Sequence, residues 1–198
     1  REYDFLVASN KSLKICFFGT LGTVLSLLEV FELVKLLNDD GVICTLDIYG
    51  DGENRRQLEQ LVEDKYESVF FKGVVSKSDV VRICMGYDFA YYPVEGGDAV
   101  AASLGNKFFD YLSARTPMIV YGCNSEVADI VNKYKIGLVG DSIQELSEKI
   151  ASMESYFYSS DALNSNIDKA LLRFSKDQIL NDLASNLKQL VNDGANSK

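Results

Sequence analysis

The chain's densest chemistry lies in residues 105 to 117, which read Gly105-Asn106-Lys107-Phe108-Phe109-Asp110-Tyr111-Leu112-Ser113-Ala114-Arg115-Thr116-Pro117. A glycine opens a helix whose first turn carries Lys107, and Asp110 follows three residues later on the same face. Helix amides and a lysine offer positive charge to an anion, while a carboxylate offers two acceptor oxygens to a pair of hydroxyls. Together they suit a nucleoside diphosphate, with phosphates on Gly105, Asn106 and Lys107 and a ribose diol on Asp110. A lysine and an aspartate three apart are more often a weak solvated pair, so the spacing does not decide the matter by itself. The surrounding elements must supply the rest.

Apolar, β-rich runs alternate with helical-period segments along the chain, the pattern of βαβ units and a parallel sheet. Strands are expected at Lys14 to Phe18, Cys44 to Tyr49, Val69 to Lys72, Tyr87 to Tyr92, Met118 to Tyr121 and Ile136 to Val139. Helices are expected near Thr23 to Leu37, Asn54 to Asp64, Lys77 to Met85, Asn106 to Ala114, Ser125 to Tyr134 and Ile143 to Met153. Ser76 to Asp79, Ser142 to Glu145 and Ser175 to Gln178 read as capping boxes, and Ile179, Leu183, Leu187 and Leu190 run in step as a last helix. Six strands in this order make a doubly wound α/β sheet. We divide the chain into a connecting segment at 1–13, one domain at 14–191 and a polar tail at 192–198.

In such a sheet, ligands bind beyond the carboxyl ends of the strands. The loops there are Gly19-Thr20-Leu21-Gly22, a tight turn whose amides face a phosphate, then Gly50-Asp51-Gly52 and Lys72-Gly73-Val74-Val75-Ser76. Next comes Glu95-Gly96-Gly97-Asp98, whose acids suit sugar hydroxyls or a metal. Each loop alone reads as a plain turn. Neither Gly-x-Gly-x-x-Gly nor the Walker pattern is present, which removes the main support for a dinucleotide dehydrogenase or a P-loop enzyme.

At 198 residues, 47% apolar and 25% charged, the chain has ample material for a core. A net charge of −9 argues against nucleic acid as a partner. The absence of histidine removes imidazole acid–base chemistry and His-ligated metal. The four cysteines form no Cys-x-x-Cys pair, and most lie in apolar runs, as buried free thiols of a reducing cytoplasm do. No apolar run is long enough to span a membrane. The sequence begins at Arg1 rather than methionine, which fits a piece of a longer protein.

Taken in order, these motifs resemble the C-terminal, donor-binding domain of GT-B glycosyltransferases, in particular the large retaining group called family 4. The resemblance runs from about Lys14 to Val191. It rests on Phe17 to Gly22, Asp47 to Glu53 with the Leu-x-x-Leu helix after it, Phe70 to Val75, Tyr87 to Pro93, and the segment ending at Pro117. There the family pattern Lys-x-x-Glu-Tyr-x-Ala-x-Gly-x-Pro is met by Lys107, Asp110, Tyr111, Ser113 or Ala114, and Pro117. The resemblance implies one half of a GT-B fold: a six-stranded, Rossmann-like sheet with extra C-terminal helices. Asp110 would hold the donor ribose, Lys107 with Gly105 and Asn106 the diphosphate, Val75 the base, and Gly19, Thr20 and Gly22 the phosphate side, with Glu95 and Asp98 near the sugar.

The implied donor is a UDP-sugar or GDP-sugar, with no further cofactor and no metal. The acceptor, a polysaccharide or other glycoconjugate, would sit on an N-terminal domain of the full-length chain, so this half alone would transfer nothing, and no catalytic residue is assigned. The implied location is cytoplasmic, with peripheral contact of the full-length enzyme at the inner face of the membrane left open. A sugar-nucleotide epimerase half and a degenerate, non-catalytic GT-B binding module are the alternatives. Four departures from the pattern stand out: no basic residue between Gly19 and Lys35, Ala102 where a first glutamate is usual, Asp110 for the second, and Arg115 for glycine.

Overall fold

In the computed structural model, residues 12–94, 104–151, 160–175, 177–180 and 184–185 are described. Glu95, Asp98, Ala102, most of the connecting segment and the 192–198 tail lie outside them, as does most of the expected last helix. The elements are β1 (Leu13–Phe18), α1 (Val24–Asp39), β2 (Cys44–Tyr49), α2 (Arg55–Lys65), β3 (Val69–Gly73), α3 (Lys77–Cys84) and β4 (Phe89–Pro93). They continue with α4 (Asn106–Ser113), β5 (Met118–Tyr121), α5 (Glu126–Tyr134), β6 (Gly137–Gly140), α6 (Ile143–Ala151) and α7 (Ser160–Arg173). All six expected strands form, each bound within two residues of its expectation. The helix α7 was not among the helices placed from the sequence, although Ile167 and Ala170 are buried at helical spacing.

The strands form one parallel sheet in the order β3-β2-β1-β4-β5-β6. The chain starts in the middle, winds outwards to β3, then crosses back to β4 and winds the other way. Loops leaving β1 and β4 therefore diverge and open a crevice at their carboxyl ends. Alternation along β1 sends Ile15 and Phe17 to one face, with Phe31, Val34, Leu58 and Leu146 of α1, α2 and α6. Cys16 and Phe18 go to the other, with Val80, Phe108, Val131 and Ile167 of α3, α4, α5 and α7. Both faces are covered at β4 and β5, which are accordingly apolar throughout, whereas β2 alternates buried and half-buried residues.

Two capping boxes form through their serines. Ser142 Oγ accepts from the Glu145 amide at 3.1 Å, and Ser175 Oγ from the Gln178 amide at 3.2 Å. The third does not. Ser76 Oγ donates to Asp79 Oδ2 at 2.6 Å, while the Asp79 amide goes to the Ser76 carbonyl at 3.0 Å rather than to the hydroxyl. Cys16, Cys44 and Cys84 are buried free thiols, as expected, and Cys123 is half-buried.

Candidate functional site

The segment Gly19 to Gly22 is not the tight turn expected. The Gly19 amide bonds Tyr49 O at 3.0 Å, the Leu21 amide bonds Asp51 O at 3.0 Å, and Asn54 Nδ2 bonds Gly22 O at 2.7 Å. The Gly50 amide in turn bonds Gly73 O at 2.9 Å. The ladder thus runs on past the strands and joins three loops into one ledge. The approach is so close that a Cβ on Gly50, whose φ is +147°, would lie 1.8 Å from Gly19 O. The amides of Gly19 and Leu21 are spent in this ledge.

On the β4 side, α4 begins at Asn106 with Gly105 as its N-cap; no side chain caps it and no acidic residue stands in its first turn. The same holds for α1, which starts behind Thr23 at the end of the β1 ledge. Away from the crevice, α5 carries a Ser125 cap with Glu126 and Asp129, and α6 carries Glu145 in its first turn. Among the described residues, the two helix ends at the crevice thus carry neither a side-chain cap nor a first-turn acid, a property that α2 shares, and their positive poles face the crevice without a local carboxylate.

Lys107 reaches from α4 across the top of the sheet. Its ammonium lies 4.6 Å from the Phe17 ring centre and 5.9 Å from that of Tyr92. A Cβ added to Gly19 would come within 3.2 Å of Lys107 Nζ. The cation therefore stands at the switch point between β1 and β4, beside the Gly19 ledge. Tyr92, whose hydroxyl bonds the Gly105 backbone, has its pKa raised by burial and stays neutral there.

Asp110 turns the other way. It is paired with Lys77, the first residue of α3, and its side chain is 18% exposed against 68% for Lys77. Lys107 and Asp110, expected to project together, diverge to opposite sides of the first turns of α4: one to the ledge, the other to the loop carrying Val75. Val75 is half-buried against the core two residues before Lys77, beside exposed Val74. The structure thus brings Lys107, next to Gly105 and Asn106, to Gly19 and its neighbours Thr20 and Gly22 across the crevice, and sets Asp110 with the Val75 loop on the other flank of α4.

Two buried bonds hold this frame. The Phe18 amide donates to the Tyr111 hydroxyl at 3.0 Å, pinning α4 to the end of β1, and Thr116 Oγ1 donates to Cys84 O at 2.9 Å, pinning the end of α4 to that of α3. Arg115 accounts for the glycine of the family pattern: its φ is +57°, a left-handed conformation glycine adopts freely. Its guanidinium reaches α7, pairing with Asp168 and bonding Asn164 Oδ1 at 3.3 Å.

The sequence reading missed Phe17, Tyr92 and Lys77 as neighbours of the site. Lys77 carried a signal: a lysine at the first position of a helix sits at the wrong end of the dipole and needs a carboxylate. Among the described residues no cluster of three or more Cys, Asp or Glu could hold a metal ion. A cavity of about 290 Å³ opens elsewhere, at the amino ends of the strands beside Phe31, Asn38, Lys65 and Tyr66.

This arrangement defines a Rossmann-like domain with a crevice at its switch point, as in the C-terminal half of a GT-B fold. The family model for glycosyl transferases group 1 matches residues 12–155, and the chain belongs to that family. No curated protein matches it by sequence. Among solved structures it is similar to a mutant of S. aureus TarM crystallised with UDP, at TM-score 0.68 and 13% identity over 88% of this chain and 35% of TarM. It is similar to the C-terminal domain of LpcC, a glycosyl transferase group 1 family protein from Francisella tularensis, at TM-score 0.62 and 13% identity over 89% of this chain and 94% of that domain. Pneumococcal GtfA, an O-GlcNAc transferase crystallised with UDP and GlcNAc, aligns at TM-score 0.54 and 16% identity over 90% of this chain and 36% of GtfA. The chain thus spans roughly a third of the length of the TarM and GtfA chains. No helix among the described residues is long and apolar enough to cross a membrane.

Proposed function

We propose that this chain is the nucleotide-sugar half of a retaining glycosyltransferase, with a hexose donor carried on UDP or GDP. The observation that carries the reading is Lys107, placed over Gly19 at the β1/β4 switch point between two helix N-termini that hold no acid. In sugar transfer the departing diphosphate gathers negative charge, and a cation and amides already in place favour that state over the ground state. With no basic residue between Gly19 and Lys35, the diphosphate depends on Lys107. Thr20, Gly22, Gly105 and Asn106 line the phosphate side, Asp110 takes the ribose, Val75 lies against the base, and Glu95 and Asp98 contact the sugar.

The acceptor, a polysaccharide or other glycoconjugate, is assigned to an N-terminal domain of a longer protein, and catalysis to the cleft between the halves. The UDP in the TarM and GtfA structures supports the donor class, and the spans of those alignments fit a half-enzyme. Three buried free thiols fit a cytoplasmic location, at the inner face of the membrane if the longer protein docks there.

Titration calorimetry with UDP and GDP on the wild type and Lys107→Ala tests the reading. We expect weak binding of one nucleotide by the wild type and a loss of about tenfold or more in the variant, the size of one charge-assisted bond. Equal affinities would remove Lys107 from the site. Failure of the wild type to bind either nucleotide would favour a non-catalytic GT-B module, the reading that the lack of basic residues between Gly19 and Lys35 favours.

A further inference from the structure

The first turns of α4 present two different chemistries on their two sides. Towards the ledge stand amides and Lys107; towards α3 stands Asp110 with Lys77. Lys77 bonds Asp110 through Oδ2, leaving Oδ1 as the other acceptor, and the ammonium retains two further N–H donors. Asp110 is largely enclosed while Lys77 is mostly exposed, so the pair opens outwards on the lysine side. Lys77 also occupies the first position of α3, where the helix dipole disfavours a cation, and a carboxylate 33 residues away compensates it. Aspartate is one methylene shorter than the glutamate of the family pattern, so it reaches less far into the crevice.

Resting on the donor-half reading above, we propose that Lys77 and Asp110 together form a two-part ribose site. The ribose 3′-hydroxyl donates to Asp110 Oδ1, and the 2′-hydroxyl accepts from Lys77 Nζ, which bridges the gap left by the shorter acid. Lys77 is then a specificity-determining residue of the donor site, reading the diol rather than the phosphates. The division of labour is spatial: Lys107 meets the diphosphate over Gly19, and Lys77 meets the sugar of the nucleoside beside Val75.

Calorimetry with UDP, GDP and the 2′-deoxy form of whichever binds more tightly tests this on the wild type, Lys77→Met and Lys77→Arg, with thermal melts confirming that each variant is folded. The wild type should prefer the ribonucleotide about tenfold or more, as expected when a site built for a hydroxyl loses it. Lys77→Met should bind the ribonucleotide about tenfold more weakly, bind the deoxy form little changed and so lose the preference, and Lys77→Arg should recover part of it. An unchanged preference in folded Lys77→Met would overturn the inference, as would tighter ribonucleotide binding, which would mark Lys77 as a competitor for Asp110. A wild type that binds neither UDP nor GDP would overturn the donor-half reading, and this inference with it.

Discussion

Lys107 holds its ammonium 4.6 Å from the centre of the Phe17 ring, so a residue buried in one face of the sheet orients a cation that arrives from a helix on the other. A cation over a ring gains about 0.5–1 kcal/mol at a partly exposed site. Phe17→Leu keeps an apolar core residue but removes the ring face. We expect nucleotide affinity to fall roughly two- to fivefold, less than in Lys107→Ala because the charge stays while its aim is lost. Calorimetry on both variants checks the ranking.

Gly50 and Gly41 both have positive φ, +147° and +87°, but a Cβ meets Gly19 O at 1.8 Å in the first and nothing within 4 Å in the second. Gly41→Ala should cost about 1 kcal/mol, the backbone penalty alone. Gly50→Ala should cost more than about 3 kcal/mol or prevent folding, because the ledge must part to admit the methyl group. Urea unfolding of the two variants separates conformational strain from collision.

Arg115 has a left-handed backbone in exchange for a partly exposed contact with Asp168 and Asn164. Exposed ion pairs contribute about 0–1 kcal/mol, and relief of the left-handed strain returns about 1–2 kcal/mol, less the extra freedom of glycine in the unfolded chain. Arg115→Gly should therefore be neutral to stabilising by about 1 kcal/mol. A fall in Tm of several degrees would show that α7 depends on the guanidinium.

Glu32 accepts from both Lys65 and Tyr66, and these bonds hold its carboxyl below the usual range while raising Lys65. A depressed carboxylate contributes stability above its unfolded pKa of about 4.3 and loses it as pH falls through the folded value. Glu32→Gln should thus be less stable than the wild type at neutral pH by under about 1 kcal/mol, since the pair is well exposed. The difference should close below about pH 4. Melts across that range give the sign directly.

The alternation of strands and helices was legible because the most buried parallel strands are continuously apolar, and Met118 to Tyr121 formed within the bounds expected. The candidate site was legible as residues but not as partnerships. Lys107 and Asp110 share a helix, yet each finds its neighbour across the fold, at Gly19 and Lys77, and helical spacing carries no word of either. The same limit hid the ledge, since the Gly19, Gly50 and Gly73 contacts join loops far apart in the chain. Arg115 was the converse case: the family pattern asks for glycine there, and the left-handed backbone supplies the reason.

The ledge also sets how such a domain can diverge. Three turns stitched backbone to backbone share one register, so lengthening any of them would put every amide opposite the wrong carbonyl. Insertions and deletions are closed to this rim, and a new donor preference has to come from exchanging the side chains that stand on it. Helix α4 is attached differently, through the side chains of Lys107 and Tyr111, and it is there that substitutions can re-aim the site without unpicking the sheet.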